Sequence, residues 1–396
     1  MENHPVIHQS SVSFHTDPGR KLILVGGFLG AGKTTLISKA VKAIAAHGGT
    51  CGVITNDQAA QLVDTKTMRS AGAQNVGEVS GGCFCCRLED LVNLLTDGGQ
   101  NPNESGVTST EVPSVVIAEP VGSCTDVVST VLLPLEKVYK VEFVICPFSV
   151  VIDARRALSS LGGRRTPGDF SKDVGYIYRK QLEEAEIVVV NKADVIAGDD
   201  LADLLRRLES EYPDKEVFVL SAKTGEGVEA WLSRVMNGRT APGKLMEVDY
   251  VRYGVGEALL GWMNGRVEVG AEEDTPRDGD TFLRELAGEI SEALEAFGAE
   301  VAHFKMSLED DDGRLGTVNQ VMSGLPPEIS KEFGGTFRRG ALTVNLRAEG
   351  DPKQLQAIVD EKVKELAERN STTYSVDHIA AFRPGQPVPT SKVTEL

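Results

Sequence analysis

Lys21-Leu-Ile-Leu-Val-Gly-Gly27-Phe-Leu-Gly-Ala-Gly32-Lys33-Thr34-Thr35 is the stretch on which the fold turns. Lys21 to Gly26 is a short apolar run ending in glycine, the pattern of a buried parallel strand. From Thr34 to His47 the spacing is helical, with Leu36, Ile37, Ala40, Val41 and Ile44 on one side. Between strand and helix, Gly27 and Gly32 flank four residues and are followed by Lys33 and Thr34, the pattern of a phosphate-binding loop. Glycines let backbone N–H groups curl round phosphates, and the helix N-terminus adds a favourable dipole. Gly27, Gly30, Ala31, Gly32, Lys33, Thr34 and Thr35 are therefore expected to bind a nucleotide. Lys33 is placed to reach the β and γ phosphates, and Thr34 to ligate Mg²⁺.

Working outward, strands are expected at Cys51–Thr55, Ser114–Ala118, Glu142–Cys146, Ile187–Val190 and Glu216–Leu220. Alternating strand and helix implies a P-loop NTPase of α/β class, a parallel sheet with helices on both faces, over residues 21–238. Residues 1–20 read as a disordered polar leader, in which His4, His8 and His15 fit no ligand spacing. The stretch Thr96–Pro113 is rich in Gly, Asn, Ser and Thr and reads as a surface insertion. Residues 239–243, with Pro242, read as a linker to a smaller α+β domain at 244–396. There the pattern suggests a strand at Gly254–Val269, a helix at Thr281–Phe297, and strands at Val301–Leu308 and Ala341–Arg347. A helix at Pro352–Glu368 and a strand at Tyr374–Phe382 complete the order β-α-β-β-α-β of a split βαβ fold.

The base has its own signal. Asn191-Lys192-Ala193-Asp194 follows an apolar run and is similar to the guanine-specificity motif of GTPases. The Asp194 carboxylate would accept from guanine N1 and the exocyclic amine, and an adenine would leave it unpaired, at a cost. Ser221-Ala222-Lys223, after the next expected strand, matches the loop that supports the base. For the hydrolytic carboxylate the sequence offers Glu119, leaving the strand in Ala118-Glu119-Pro-Val-Gly122, where Gly122 would bring an N–H near the γ-phosphate. Asp57, in Asn56-Asp57, is a second candidate at a strand end.

The chain has 396 residues, 41% of them hydrophobic, with 58 Asp and Glu against 41 Lys and Arg. Its net charge of −17 argues against binding nucleic acid or an anionic membrane without specificity. No apolar run approaches the ~20 residues that span a bilayer, and residues 1–20 lack a signal-peptide pattern, so a cytoplasmic location is expected. Of six cysteines, three stand together in Gly81-Gly82-Cys83-Phe84-Cys85-Cys86. Such a cluster reads as metal-binding or redox-active, and metal is the reading adopted for Cys83, Cys85 and Cys86. A fourth ligand must come from elsewhere or from water, which leaves the site exchangeable, as a metal carrier requires.

In this order, Gly27-Phe-Leu-Gly-Ala-Gly-Lys-Thr-Thr35, Glu78-Val-Ser-Gly-Gly-Cys-Phe-Cys-Cys86, Glu119-Pro-Val-Gly122 and Asn191-Lys-Ala-Asp194 resemble the CobW-like GTPases. These are relatives of the urease and hydrogenase nickel-insertion GTPases. The resemblance implies that Cys83, Cys85 and Cys86 bind metal, and that Glu119 and Gly122 replace the usual aspartate motif at Mg²⁺ and the γ-phosphate. It also implies a slow GTPase that uses GTP/GDP and Mg²⁺, carries a transition metal (Zn²⁺ first, then Co²⁺) and delivers it to a client metalloprotein through the C-terminal domain, the transfer gated by GTP hydrolysis. A homodimer is left open. The histidine-rich stretch common in that family is lacking, since the chain has six histidines in all. The rival reading is a GTP-dependent activator of a metal- or corrinoid-dependent enzyme that transfers no metal. A nucleotide kinase or ATPase on the same loop is disfavoured by Asn191–Asp194.

Overall fold

The computed structural model describes residues 19–57, 68–69, 71–96, 113–161, 170–271, 276–370 and 372–396. The leader (but for its last two residues), its three histidines and positions 97–112 of the expected insertion lie outside them. The chain forms two compact units. The first takes the described residues of Met1–Gly162, Ile177–Tyr250 and Pro387–Leu396, and the second those of Gly163–Tyr176 and Val251–Gln386. The division therefore falls after Tyr250, whereas a linker was expected at 239–243, and the last ten residues return to the first unit. Among the described residues no helix is long and apolar enough to cross a membrane.

In the first unit, β1 (Lys21–Gly27) is wholly buried at the middle of a parallel sheet. Around it lie β2 (Cys51–Asp57), β3 (Asn75–Ser80), β4 (Val115–Glu119), β5 (Val144–Ile145), β6 (Ser149–Asp153), β7 (Ile187–Asn191) and β8 (Glu216–Val219). Their order is β3-β2-β4-β1-β6-β7-β8, with β5 also on β1. Strand β1 thus lies between β4 and β6, where the order reverses, and loops leaving the carboxyl ends of these strands converge beside it. Helix α1 (Lys33–Ala46) buries Leu36, Ile37, Ala40, Val41 and Ile44 against the sheet, the face that the 3.6-residue spacing marks out. Trp231, also in this core, is fully buried and donates its indole N–H to Ser149 at 3.1 Å. That bond removes the cost of burying a polar group.

Two strand expectations need correction. The run Glu142–Cys146 gives only the two-residue β5, because Pro147 has no N–H for the ladder and interrupts it. The line resumes at Ser149, so β1 pairs first with Val144 and Ile145 and then with Ser149 to Val151. Strand β3 was not foreseen. Its run Asn75-Val-Gly-Glu-Val-Ser80 is interrupted by Gly77, yet it pairs with β2 along six residues.

The second unit has helix α2 (Tyr250–Leu259) and strand β9 (Leu260–Ala271) where one strand, Gly254–Val269, was expected. Valines and glycines in Val251–Gly256 look like strand or turn residues, but the helix buries Tyr253 and Gly256 on one side, and packing overrides propensity. Then follow α3 (Gly279–Phe297), β10 (Val301–Asp310), β11 (Leu315–Gln320), β12 (Glu328–Lys331), β13 (Arg339–Glu349), α4 (Pro352–Arg369) and β14 (Thr372–Phe382). They form an antiparallel sheet in the order β12-β11-β10-β13-β9-β14. Both β9 and β10 run antiparallel to β13 between them, and so parallel to each other, which is the split βαβ arrangement. Strands β11 and β12 are an addition to the expected order. Asp278 and Asp351 cap α3 and α4 by accepting backbone N–H groups, as short acidic side chains do at helix starts.

Candidate functional site

The phosphate-binding loop leaves β1 with Gly27, Gly30 and Gly32 all at positive φ, at 126°, 76° and 92°. At Gly27 a Cβ would lie 2.1 Å from the Val151 carbonyl oxygen, and at Gly32 it would lie 2.4 Å from Asn191 Nδ2. Only glycine fits either position. The loop thereby turns its backbone into a cradle that a phosphate group suits. Lys33, buried at the start of α1, donates to the Gly27 carbonyl at 2.8 Å and the Phe28 carbonyl at 3.2 Å. Its ammonium is 4.0 Å from Glu119, and the Thr34 hydroxyl donates to both Glu119 oxygens at 3.2 Å. The expected trio of Lys33, Thr34 and Glu119 is therefore assembled. Thr35 is exposed beside it. Asp57 ends β2, its backbone in register with Ser80.

The guanine-motif residues brace the loop from β7. Asn191, buried, donates to the Ala31 carbonyl at 2.8 Å and accepts from the Ala222 N–H at 2.9 Å. One amide thus joins the phosphate loop to the Ser221-Ala222 loop. Ser221 in turn accepts from the Thr224 N–H at 3.2 Å. Lys192 is held at φ 64° and reaches the Gly30 carbonyl at 2.8 Å and Asp153 at 2.7 Å. Asp194 lies exposed in a single 3-10 turn, Ala193–Val195. Asp153 was not singled out from the sequence, although it ends an apolar run, Ser149–Ile152. Burial would raise its pKa, but Lys192 and the hydrogen bonds from Lys192 and the Arg156 N–H outweigh burial and hold it below the ordinary value.

The cysteine loop follows β3. Gly81 turns at φ 75°, and the Cys83 carbonyl accepts the N–H groups of Cys86 and Arg87, both at 3.0 Å. This tight turn gathers the sulfurs. Cys83 lies 2.9 Å from Cys85 and 3.1 Å from Cys86, and Cys85 lies 3.8 Å from Cys86. A tetrahedral zinc site with bonds of about 2.3 Å has sulfur edges of ~3.8 Å. The Cys85–Cys86 edge already has that length. Those to Cys83 must open by about 0.7–0.9 Å, within the reach of side-chain rotation. None of the six cysteines forms a disulfide. Cys83 and Cys86 also stand in Cys-x-x-Cys spacing, which suits thiol chemistry as well as a metal.

Asn56, one residue before Asp57, fixes that loop. Its amide donates to the Val79 carbonyl at 2.8 Å and the Gly82 carbonyl at 2.7 Å, and its oxygen accepts the Phe84 N–H at 3.0 Å. Phe84 is fully buried between the cysteines and anchors the loop in the core. The carboxy-terminal segment covers it from the other side. Thr390 donates its N–H and its hydroxyl to the Cys85 carbonyl at 2.9 and 3.2 Å, and the Val388 N–H points to Cys86 sulfur at 3.4 Å. Lys392 secures this segment on buried Asp126 at 2.8 Å.

A fourth cysteine stands here too. Cys124, buried, hydrogen-bonds the Cys83 sulfur, and that bond is the largest cause of a Cys83 pKa well below the usual thiol value. Cys85 and Cys86 also hydrogen-bond Cys83, and their own thiols are pushed up chiefly by those bonds. The remaining two differ. Burial raises Cys51 and Cys146 to about 12, as in core cysteines with no partner anion.

The profile of the family described as "CobW/HypB/UreG, nucleotide-binding domain" matches residues 21–219. A protein named "Zinc chaperone CobW" from a Sinorhizobium species is 25% identical over 218 residues, 53% of this chain and 60% of that protein. One of the same name from Pseudomonas aeruginosa is 26% identical over 223 residues, covering 51% and 56%. The chain thus spans less than two thirds of the length of either relative. Among solved structures, nickel-bound HypB from Helicobacter pylori shares 16% identity at a TM-score of 0.37, covering 54% of this chain and 84% of its own. Zn(II)-bound YjiA GTPase from E. coli shares 17% at 0.35, covering 87% and 98%.

Proposed function

This chain belongs to the CobW/HypB/UreG family of nucleotide-binding proteins, and from that premise we propose that it is a GTP-hydrolysing carrier of a transition metal, zinc first and cobalt second. The observation that carries this reading is the grouping of the Cys83, Cys85 and Cys86 sulfurs within 4.8 Å of one another, on a loop tied by Asn56 to the end of β2. The names of the two zinc-chaperone relatives support the choice of metal.

In this reading the glycine cradle takes the phosphates, and Asp194 selects guanine through its paired donors. Lys33 leaves its two carbonyl acceptors for the β and γ phosphates, which bear more charge. Thr34 and Glu119 hold Mg²⁺, which spreads the charge of the reacting phosphate. Asp57 is the second carboxylate on the hydrolytic side, and Gly122 sets an N–H by the γ-phosphate. The metal is cargo. Cys85 and Cys86, whose thiols are pushed up, give up their protons to bind it and regain them on release, so affinity rises with pH. The second unit is the surface for a client metalloprotein.

Zinc and cobalt titrations of the purified protein test the reading, against a variant with Cys83, Cys85 and Cys86 all changed to Ser. Tight binding with intense thiolate-to-cobalt absorption, lost in the variant, is the expected result. No binding by the unmutated protein, or equal binding by the variant, would sink the carrier reading and favour a metal-free activator.

A further inference from the structure

We propose that residues 387–393 form a latch over the cysteine loop, pinned by Lys392 on buried Asp126, and that the latch must lift for metal to enter or leave. The proposal rests on the carrier reading above. Cys83 and Cys85 are buried and Cys86 is half-buried, so an ion or a client's ligand reaches the cluster by way of Cys86. The latch lies across that way. The Val388 N–H points to the Cys86 sulfur at 3.4 Å, and Thr390 donates its N–H and its hydroxyl to the Cys85 carbonyl at 2.9 and 3.2 Å. Two adjacent residues of the cluster are thus held by one short stretch of chain.

Most of that stretch is lightly held. Among the described residues no helix or strand follows Phe382. Pro384, Pro387 and Pro389 keep the chain extended, since proline fixes its own φ and biases the residue before it away from helix. Pro387 is buried, but Val388, Thr390 and Lys392 are exposed, so little apolar surface holds the stretch down. A segment with so few buried contacts opens at a fraction of the cost of unfolding the unit.

The pin is of another kind. The Lys392 ammonium lies 2.8 Å from Asp126, whose side chain is 2% exposed, and 4.7 Å from the centre of the Tyr250 ring. Asp126 is held at φ 63°, and its carbonyl accepts the Thr130 N–H at 3.0 Å and the Thr130 hydroxyl at 2.6 Å. Its carboxylate accepts the Ser129 and Tyr250 hydroxyls, so it is fixed in place before the latch closes. Beside the pin, the Val393 N–H donates to the Ser129 carbonyl at 2.8 Å. A charge pair with one partner buried is screened little by water and salt, so a single ammonium secures what the rest of the stretch holds weakly. The latch meets the cysteines through N–H groups and a hydroxyl and brings no metal ligand of its own. It therefore acts on the rates of capture and release together and leaves the affinity nearly unchanged.

Lys392→Met is the test, because it removes the ammonium, keeps an apolar stem by Tyr250 and leaves Asp126 its Ser129 and Tyr250 donors. In the full chain, zinc capture from solution and zinc release to a chromophoric chelator should both quicken by about tenfold, with affinity within about threefold. Without metal, alkylation of Cys86 should quicken by about as much. Unchanged rates would overturn the latch. So would faster release with unchanged capture, since the stretch would then support bound metal rather than gate it. Amide hydrogen exchange of the unmutated protein needs no variant to fold. The Thr390 and Val393 amides should exchange together, at least roughly a hundredfold faster than those of Leu22 to Val25 in β1, and equal protection would overturn the proposal. No zinc binding by the unmutated protein would refute the carrier reading beneath it, whereas unchanged alkylation of Cys86 refutes the latch alone.

Discussion

Replacing Asn56 by Ala should weaken zinc binding while leaving most of the fold in place. The side chain makes three hydrogen bonds to the cysteine loop and its stem: to the Val79 and Gly82 carbonyls and from the Phe84 N–H. At about 0.5–1.5 kcal/mol net for each, their sum is roughly 1.5–4.5 kcal/mol. Asn56 is half-buried, so water replaces part of them and a loss of about 1–3 kcal/mol is the working figure. Metal binding must then order the loop that Asn56 otherwise holds ready. At about 1.4 kcal/mol per tenfold, zinc affinity should fall ~5- to 150-fold. Competition against a chromophoric chelator measures this, with guanine-nucleotide affinity and the thermal midpoint measured in parallel. Asn56→Asp, which keeps the acceptor for Phe84 and loses both donors, should fall at least as far, since its charge faces two carbonyls. Zinc affinity within about twofold of the unmutated protein would refute the stapling argument. So would an equal fall in nucleotide affinity, because the effect would then be global.

Three further outcomes follow from the same geometry. Asp194→Asn exchanges an acceptor for a donor opposite the base, so GTP affinity should drop by about 100-fold or more and xanthosine triphosphate should gain; nucleotide displacement assays decide, and undiminished GTP affinity would contradict the assignment. Glu184, raised to about 8 first by burial and then by Asp126, is protonated in the folded state while the unfolded chain releases its proton near 4.5. The unfolded state binds fewer protons between those values, so stability is greatest below that window and falls as pH rises through it, by up to roughly 1.4 kcal/mol per unit. Glu184→Gln should flatten that slope in urea titrations at pH 5 and pH 8, and an unaltered slope would refute the assignment. Deleting residues 387–396 removes the Val388 and Thr390 contacts to Cys86 and Cys85 and should speed alkylation of Cys86 by roughly tenfold, read by mass spectrometry. Unchanged labelling would show that the segment gives no cover.

What the sequence disclosed was local. The phosphate-binding loop declares itself because strand, glycines, Lys33 and helix follow one another within fifteen residues from Lys21 to Thr35, and each has a conformational reason. Asn191-Lys-Ala-Asp194 is legible for the same reason, being the end of one buried strand. The cysteine loop carries its own signal in composition. Of the partners that the sheet brings together, Glu119 was legible from its strand end, whereas Asn56 was hidden. Glu119 meets Thr34 because β4 pairs with β1, and Asn56 meets the cysteine loop because β2 pairs with β3. Asn56 is an ordinary strand-end residue until that pairing is known. Cys124 reads as one more buried cysteine until Cys83 is seen beside it. The return of Pro387–Leu396 to the first unit has no sequence signature, since the Val388, Thr390 and Val393 contacts use backbone N–H groups that every residue but proline carries. Likewise α2 was misread because its glycines and valines disfavour helix, and only the burial of Tyr253 and Gly256 decides otherwise.

Coupling between nucleotide and metal is the central claim, and one titration reaches it most directly: zinc competition on the same protein loaded with Mg²⁺ and either a non-hydrolysable GTP analogue or GDP. The account predicts zinc affinities that differ by at least roughly tenfold between the two states, about 1.4 kcal/mol of coupling. Equal affinities would contradict it, leaving a GTPase and a thiol cluster that share a sheet and do not communicate.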